Sequence, residues 1–291
     1  MKWLKLVRWV NLCFVLMTHL LMRYFLFPFL TIETKLSNLD FYILSFSIIG
    51  VTASGNIIND IYDVKSDSIN KRNRPLAKGE IPIKNAKLLY NIIVLISIVL
   101  GVVFSYLNAL WWLLITEILS VVLLHLYARY LKGMALLGNI TVSLLVSLSF
   151  LLLFFVEMPI ALTSLSVYWI TFYGVFAFWT NLNREIAKDV SDMKGDHAQG
   201  FLTLPLLIGK SRTNSVLFFS TSALTIVMVL VVKRFLAVDL TMLSYFIFIV
   251  GTPLGYVIYH IYRFEKKSNH KKLGNVYKIS ILLGVLSMLL L

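Results

Sequence analysis

The sequence predicts an all-α, polytopic membrane protein, and three observations predict it. The chain is 59% apolar and only 14% charged, too little polarity to cover a soluble domain of this length. Its apolar residues fall into nine long blocks, and lipid leaves a backbone that crosses it no choice but helix. Its lysines and arginines sit at the ends of those blocks. That placement also decides what the net charge of +13 means. Spread over span ends instead of gathered into a stripe or tail, it signals topology, and nucleic acid is not an expected partner.

The first block runs over about 9–30, behind Lys2, Lys5 and Arg8. It resembles a signal peptide at its start but continues without a small-residue cleavage site, so an uncleaved first span is expected. Cys13, the only cysteine, leaves neither a disulfide framework nor a cysteine metal cluster. Arg8 and Asn11 are three apart at the entrance of this span, where they suit a polar acceptor head group or, equally, a snorkelling arginine and a helix-packing amide. His19 and Arg23, one turn apart and deeper, either line a cavity or face the outer interface.

The following blocks cover roughly 41–62, 85–107, 109–127, 134–155, 163–181, 214–233, 239–262 and 274–291. Trp111, Trp112, Trp169 and Tyr262 lie near block ends, as interfacial belts require. With the N-terminus in the cytoplasm, alternate connections carry 22 basic residues on that side and three on the other, which orients the protein. Two long polar loops then face the cytoplasm, after the second and sixth spans. Their equivalent places suggest a single domain over 1–291 built from two four-helix halves, about 1–130 and 131–262, plus a ninth helix.

Each of those loops begins with a row of acids. The first reads Asn59-Asp60-Ile61-Tyr62-Asp63-Val64-Lys65-Ser66-Asp67; Asn59, Asp63 and Asp67 share one helical face, with Asp60 beside it. The second, Asp189-Val190-Ser191-Asp192-Met193-Lys194-Gly195-Asp196, repeats the one-faced arrangement. Like charges at such spacing repel by tenths of a kcal/mol per exposed pair, and helix C-termini disfavour anions. Local stability would not select these rows; a bound cation would. Oxygen ligands suit a hard ion, and Mg²⁺ is the usual choice where a phosphate completes the shell. Arg72, Arg74, Lys132, Lys188 and Lys194 stand near the rows and suit phosphate oxygens, although topology anchors would look the same. Tyr127 lies on the same cytoplasmic face, and Gly195 permits a sharp turn.

Asn56 through Asp67, followed by Asn73-Arg74-Pro75-Leu76, resembles the first motif of the UbiA superfamily of membrane prenyltransferases. Arg184-Glu185-Ile186-Ala187-Lys188-Asp189 through Gly195-Asp196 and Thr203-Leu204-Pro205 resembles the second. The resemblance implies nine transmembrane helices around a central cavity with a cytoplasmic cap, and two Mg²⁺ ions held by Asn59, Asp63, Asp67, Asp189, Asp192 and Asp196. It implies that Asp63, Asp192 and Lys188 carry the catalytic weight, that the diphosphate is held by basic residues (Arg74, Lys132 and Lys188, with Arg72 and Lys194 as further candidates), and that Asn56, Asp60 and Tyr127 support the motif. Arg8 and Asn11 would meet the acceptor. The expected partners are a prenyl diphosphate donor, a lipophilic or aromatic acceptor and membrane lipid; oligomeric state has no signal here. The second motif looks most like the digeranylgeranylglyceryl phosphate synthase branch, implying geranylgeranyl transfer to geranylgeranylglycerol phosphate. Aromatic prenyl transfer for quinone, haem or chlorophyll-type products is the alternative within the class. A membrane cation transporter is the alternative outside it, although transporter carboxylates usually lie near mid-membrane.

Overall fold

A computed structural model describes residues 1–70, 73–158, 163–235, 240–263 and 269–291. Among them eight helical segments are long and apolar enough to cross a membrane. Their exposed faces are apolar: α6 (introduced below) shows Leu88, Ile92, Leu95 and Val99 outward. That pattern needs lipid around it.

The chain enters through α1 (Lys2–Val7) and turns at Arg8, whose φ of 56° is left-handed. It then runs up α2 (Trp9–Leu21), a π-helical turn at Met22–Leu26 and α3 (Phe27–Phe29), ended at Pro28-Phe29-Leu30. The predicted first span is therefore one continuous but re-wound helix. Near its C-terminal end Arg23 pairs with buried Glu157 at 3.4 Å and donates to the Leu36 carbonyl at 2.8 Å. His19, four residues earlier, turns inward and contacts Ser45 Oγ and the Ser149 carbonyl at 3.1 and 2.9 Å.

Ser37 caps α4 (Asn38–Tyr62) by accepting from the Asp40 amide. Helical hydrogen bonds continue through Asp63 into α5 (Val64–Ile69), so Asn59, Asp63 and Asp67 do lie along one line. Next come α6 (Ile83–Asn108), α7 (Trp111–Arg129), a 3₁₀ turn at Leu131–Gly133 and α8 (Leu137–Glu157). Helix α9 (Ser164–Ala198) has 35 residues, about 52 Å at 1.5 Å each. Its first half is the predicted sixth span. That half is not among the eight segments long and apolar enough to cross a membrane; most of its length packs inside the bundle, while Leu165, Val167 and Val175 are exposed. Its second half projects beyond the span and carries the second acidic row. The chain closes with α10 (Leu204–Ile208), α11 (Lys210–Phe235), α12 (Leu240–Ser244), a π-helical turn, α13 (Gly251–Arg263) and α14 (His270–Leu286).

Helix α4 packs on α2, α6 and α7, while α9 packs on α8, α11 and α14. Trp169 corrects one expectation. Instead of sitting in an interfacial belt it is 1% exposed, edge-on to Phe29, Tyr168 and Phe172 in the core. Trp111, Trp112 and Tyr262 are exposed, as belt residues are.

Candidate active site

The acidic rows end two different helices, and a close backbone approach joins them. At Gly195 a Cβ would lie 2.4 Å from Asn70 Nδ2 and Ser66 Oγ, and 2.8 Å from the Ser66 carbonyl oxygen. Gly195 is inside an unbroken helix, so its role is this contact and not the turn the sequence suggested. Asn70 stitches the approach: its amide donates to the Asp192 carbonyl at 3.3 Å, and its Oδ1 accepts from the Gly195 amide at 3.1 Å. We expect Gly195→Ala to push α5 off α9 and cost about a hundredfold in kcat/KM. Gly255→Ala, where a Cβ would meet nothing within 4 Å, is the control, and equal kinetics in both variants would refute the contact's importance.

Lys132 stands between the rows. Its ammonium bonds Asp63 and lies in the fields of Asp196 and Asp67; burial lowers its pKa, but these carboxylates outweigh it and hold the pKa above the ordinary lysine value. The turn carrying Lys132 is strapped to the chain after α9: the Leu202 amide donates to the Gly133 carbonyl at 2.8 Å, and Gly133 leaves room for the Phe201 ring.

Within the first row, Asn59, Asp60, Asp63 and Asp67 are buried. Asn59 Nδ2 donates to Asp63 at 2.9 Å, and Arg74 Nε stands 4.0 Å from Asp67. Asp60 faces elsewhere, toward Arg8 at 2.6 Å. Asn56 donates to the Val7 carbonyl at 3.1 Å, which fixes the turn that places Arg8. In the second row Asp196 is buried and Asp192 half-buried, while Asp189 accepts from Asn139 at 2.8 Å. Lys188 donates to Glu185 at 2.9 Å, and Arg184 pairs with the same carboxylate. Lys194 corrects the sequence reading: it is exposed. Two residues from Asp192 and from Asp196, it points some 200° round the helix, away from the row. Arg72 lies outside the described residues.

Electrostatically the site asks for positive charge. Burial raises Asp189 to about 8, helped by Glu185 and opposed by Asn139. Burial raises Asp196 to about 7, with Asp192 and Asp63 pushing up against Lys132. Asn59 Oδ1 and Asp63 Oδ1 are buried without a hydrogen-bond partner. Among the described residues no three His, Cys, Asp or Glu side chains stand close enough to hold an ion by themselves, so any cation needs Asn59 or a ligand's oxygens as well. The donor set, all oxygen with two orphaned atoms, fits Mg²⁺ in kind.

A cavity of about 290 Å³ opens beside the rows. Asn59, Lys188, Tyr127, Arg8 and Arg184 line its polar end, and Phe14, Leu124, Phe150, Phe176 and Met288 its apolar wall, down to His19. The sequence reading missed Asn139, Glu185, Asn70 and Lys278. Lys278 was detectable: a lysine inside an apolar span marks function by default.

The model of the UbiA prenyltransferase family matches residues 12–287. A digeranylgeranylglyceryl phosphate synthase of Methanosphaera stadtmanae is 33% identical over 195 residues, 67% of each chain. One from Korarchaeum cryptofilum is 33% identical over 242 residues, 82% of this chain and 81% of that one. Among solved structures, a UbiA homolog from Archaeoglobus fulgidus bound to GPP and Mg²⁺ superposes with a TM-score of 0.64 at 20% identity, covering 99% of both chains.

Proposed function

This chain belongs to the UbiA prenyltransferase family, and from that premise we propose that it transfers a geranylgeranyl group from its diphosphate to the hydroxyl of geranylgeranylglycerol phosphate. It is an integral, multi-pass membrane protein and a Mg²⁺-dependent prenyltransferase. The acceptor is the one implied by likeness to digeranylgeranylglyceryl phosphate synthases. One observation carries the reading: two carboxylate rows, locked together at Gly195 with Lys132 between them, beside an apolar cavity.

Asn59, Asp63 and Asp67 on one side and Asp189, Asp192 and Asp196 on the other would hold Mg²⁺, which would supply the charge that makes diphosphate a good leaving group. Lys132, Lys188 and Arg74 donate to the diphosphate oxygens. The allylic carbon–oxygen bond breaks and the electron pair leaves with the diphosphate. The cavity's apolar wall keeps water from the prenyl cation. The acceptor's hydroxyl oxygen forms the new bond to the allylic carbon, and its proton passes to the released diphosphate. Asn56 and Asp60 act by placing Arg8, and Tyr127, buried beside Ile58, lines the cavity. The positive-inside charge pattern supports a cytoplasmic N-terminus and a site opening to that side. The equivalent places of the two acidic rows, each at the end of a central helix, support two four-helix halves, about 1–130 and 131–262, with α14 as the ninth helix packed against α9.

The test is product identification by mass spectrometry after incubating the membrane-embedded protein with prenyl diphosphates and an acceptor panel. A digeranylgeranylglyceryl phosphate product is expected; transfer only to aromatic acceptors would overturn the acceptor assignment.

A pH dependence arises from the same carboxyls. Their folded-state pKa values, about 8 for Asp189 and about 7 for Asp196, lie above the ordinary carboxyl range, so the folded protein binds extra protons. Without a divalent ion, stability should fall as pH rises to about 8, and each proton held must be displaced before an ion binds. The rise in unfolding temperature caused by Mg²⁺ should therefore be larger at about pH 8 than at about pH 6. An equal rise at both would contradict the assignment.

A further inference from the structure

Lys278 projects from α14 into the cavity wall. It is half-buried, donates to Asn11 Oδ1 at 2.7 Å, and lies 5.1 Å from the centre of the Phe14 ring. Its charged neighbours are Arg184 and Arg8. Each of those arginines has a carboxylate partner, Glu185 and Asp60 respectively, whereas the hydrogen-bond partner of Lys278 is neutral. With Lys188, which shares Glu185 with Arg184, four cations thus converge on one chamber; Glu185 and Asp60 are already paired, and the charge of Lys278 is left for whatever enters. A cation kept among like charges at the edge of an apolar wall is costly unless an anion joins it. On the far side of Lys278 the wall turns apolar, with Phe14, Ile281, Val285 and Met288. The ligand that fits has a compact anionic head and a long apolar tail.

We propose that Lys278, with Arg184, holds the phosphate of the acceptor lipid and so selects a phosphorylated acceptor over a neutral alcohol. This rests on the reading of the chain as a transferase onto a phosphate-bearing lipid. The donor's diphosphate is served by a different set, at Lys132 and the aspartate rows. Asn11 positions the ammonium by accepting its hydrogen bond.

The experiment compares wild type, Lys278→Met and Lys278→Arg, purified as full chains in lipid nanodiscs. Binding of geranylgeranylglycerol phosphate and of its dephosphorylated alcohol is measured without donor, and steady-state kinetics with geranylgeranyl diphosphate follow. Lys278→Met keeps the stem over Phe14, and its thermal unfolding is recorded to establish that it folds. In that variant, affinity for the phosphorylated lipid should fall about tenfold or more, while affinity for the alcohol and the KM for donor stay unchanged. Lys278→Arg should restore most of the loss. Equal weakening of both lipids, an effect confined to the donor KM, or wild-type protein that binds the phosphorylated lipid no better than the alcohol would each overturn the proposal. Wild-type protein that binds the phosphorylated lipid through Lys278 yet prenylates only another acceptor would sustain this subsite and sink the proposed reaction.

Discussion

Asp63→Ala should lower kcat by about a thousandfold or more while the protein remains folded in detergent. Asp63 is the point where the two rows meet: it accepts from Asn59 at 2.9 Å, bonds Lys132, and contributes to the field that raises Asp196. Removing it takes away a ligand oxygen for the cation and the anchor of the lysine that faces the diphosphate. Stability should suffer less than activity. The deletion strands part of the charge of Lys132, but it also relieves repulsion on Asp196, which stays beside the ammonium. Asp192→Ala should behave alike from the other row. Turnover near wild type in either variant would remove these side chains from the chemistry.

Lys132→Met should lower kcat by about a hundredfold and also destabilise the fold, and the two effects should respond differently to Mg²⁺. The lysine is 15% exposed at its side chain, and its partner Asp63 only 7%. Taking one partner from a buried pair leaves an uncompensated charge that costs about 3–5 kcal/mol. A divalent ion between the rows replaces that missing charge, so added Mg²⁺ should recover much of the unfolding temperature. It cannot replace the ammonium's donation to the leaving diphosphate, so kcat should stay low. Thermal unfolding and initial rates over one Mg²⁺ titration check both. Full recovery of rate would make Lys132 a structural counter-charge alone.

The rows were legible in the sequence because a carboxylate every three or four residues at the end of an apolar span opposes local stability, and Asn59, Asp63 and Asp67 do fall on one line. Spacing along one helix did not reveal what joined the rows. Gly195 looked like a turn residue, and its close contact with Ser66 and Asn70 depends on a partner helix some 125 residues away. Lys194 shows the converse: only two residues from Asp192 and from Asp196, it points off the opposite face of α9. Trp169 has the composition of an interfacial anchor, but a helix enclosed by its neighbours has no lipid side at that position. The hydrophobic blocks gave the spans well, since bilayer thickness sets their length. The predicted sixth span is the exception in kind: it is the first half of a helix that continues out of the bundle to bring Asp189, Asp192 and Asp196 to the first row.

The most direct measurement is Mn²⁺ binding, followed by electron paramagnetic resonance, to the full-length protein in the presence of a non-ionising prenyl diphosphate analogue. Mn²⁺ prefers the same oxygen ligands as Mg²⁺. If the rows share their cations with the diphosphate, binding should need the analogue and weaken sharply in both Asp63→Ala and Asp192→Ala. Undiminished binding in either variant would mean that one row stands apart from the ion, and would contradict the account.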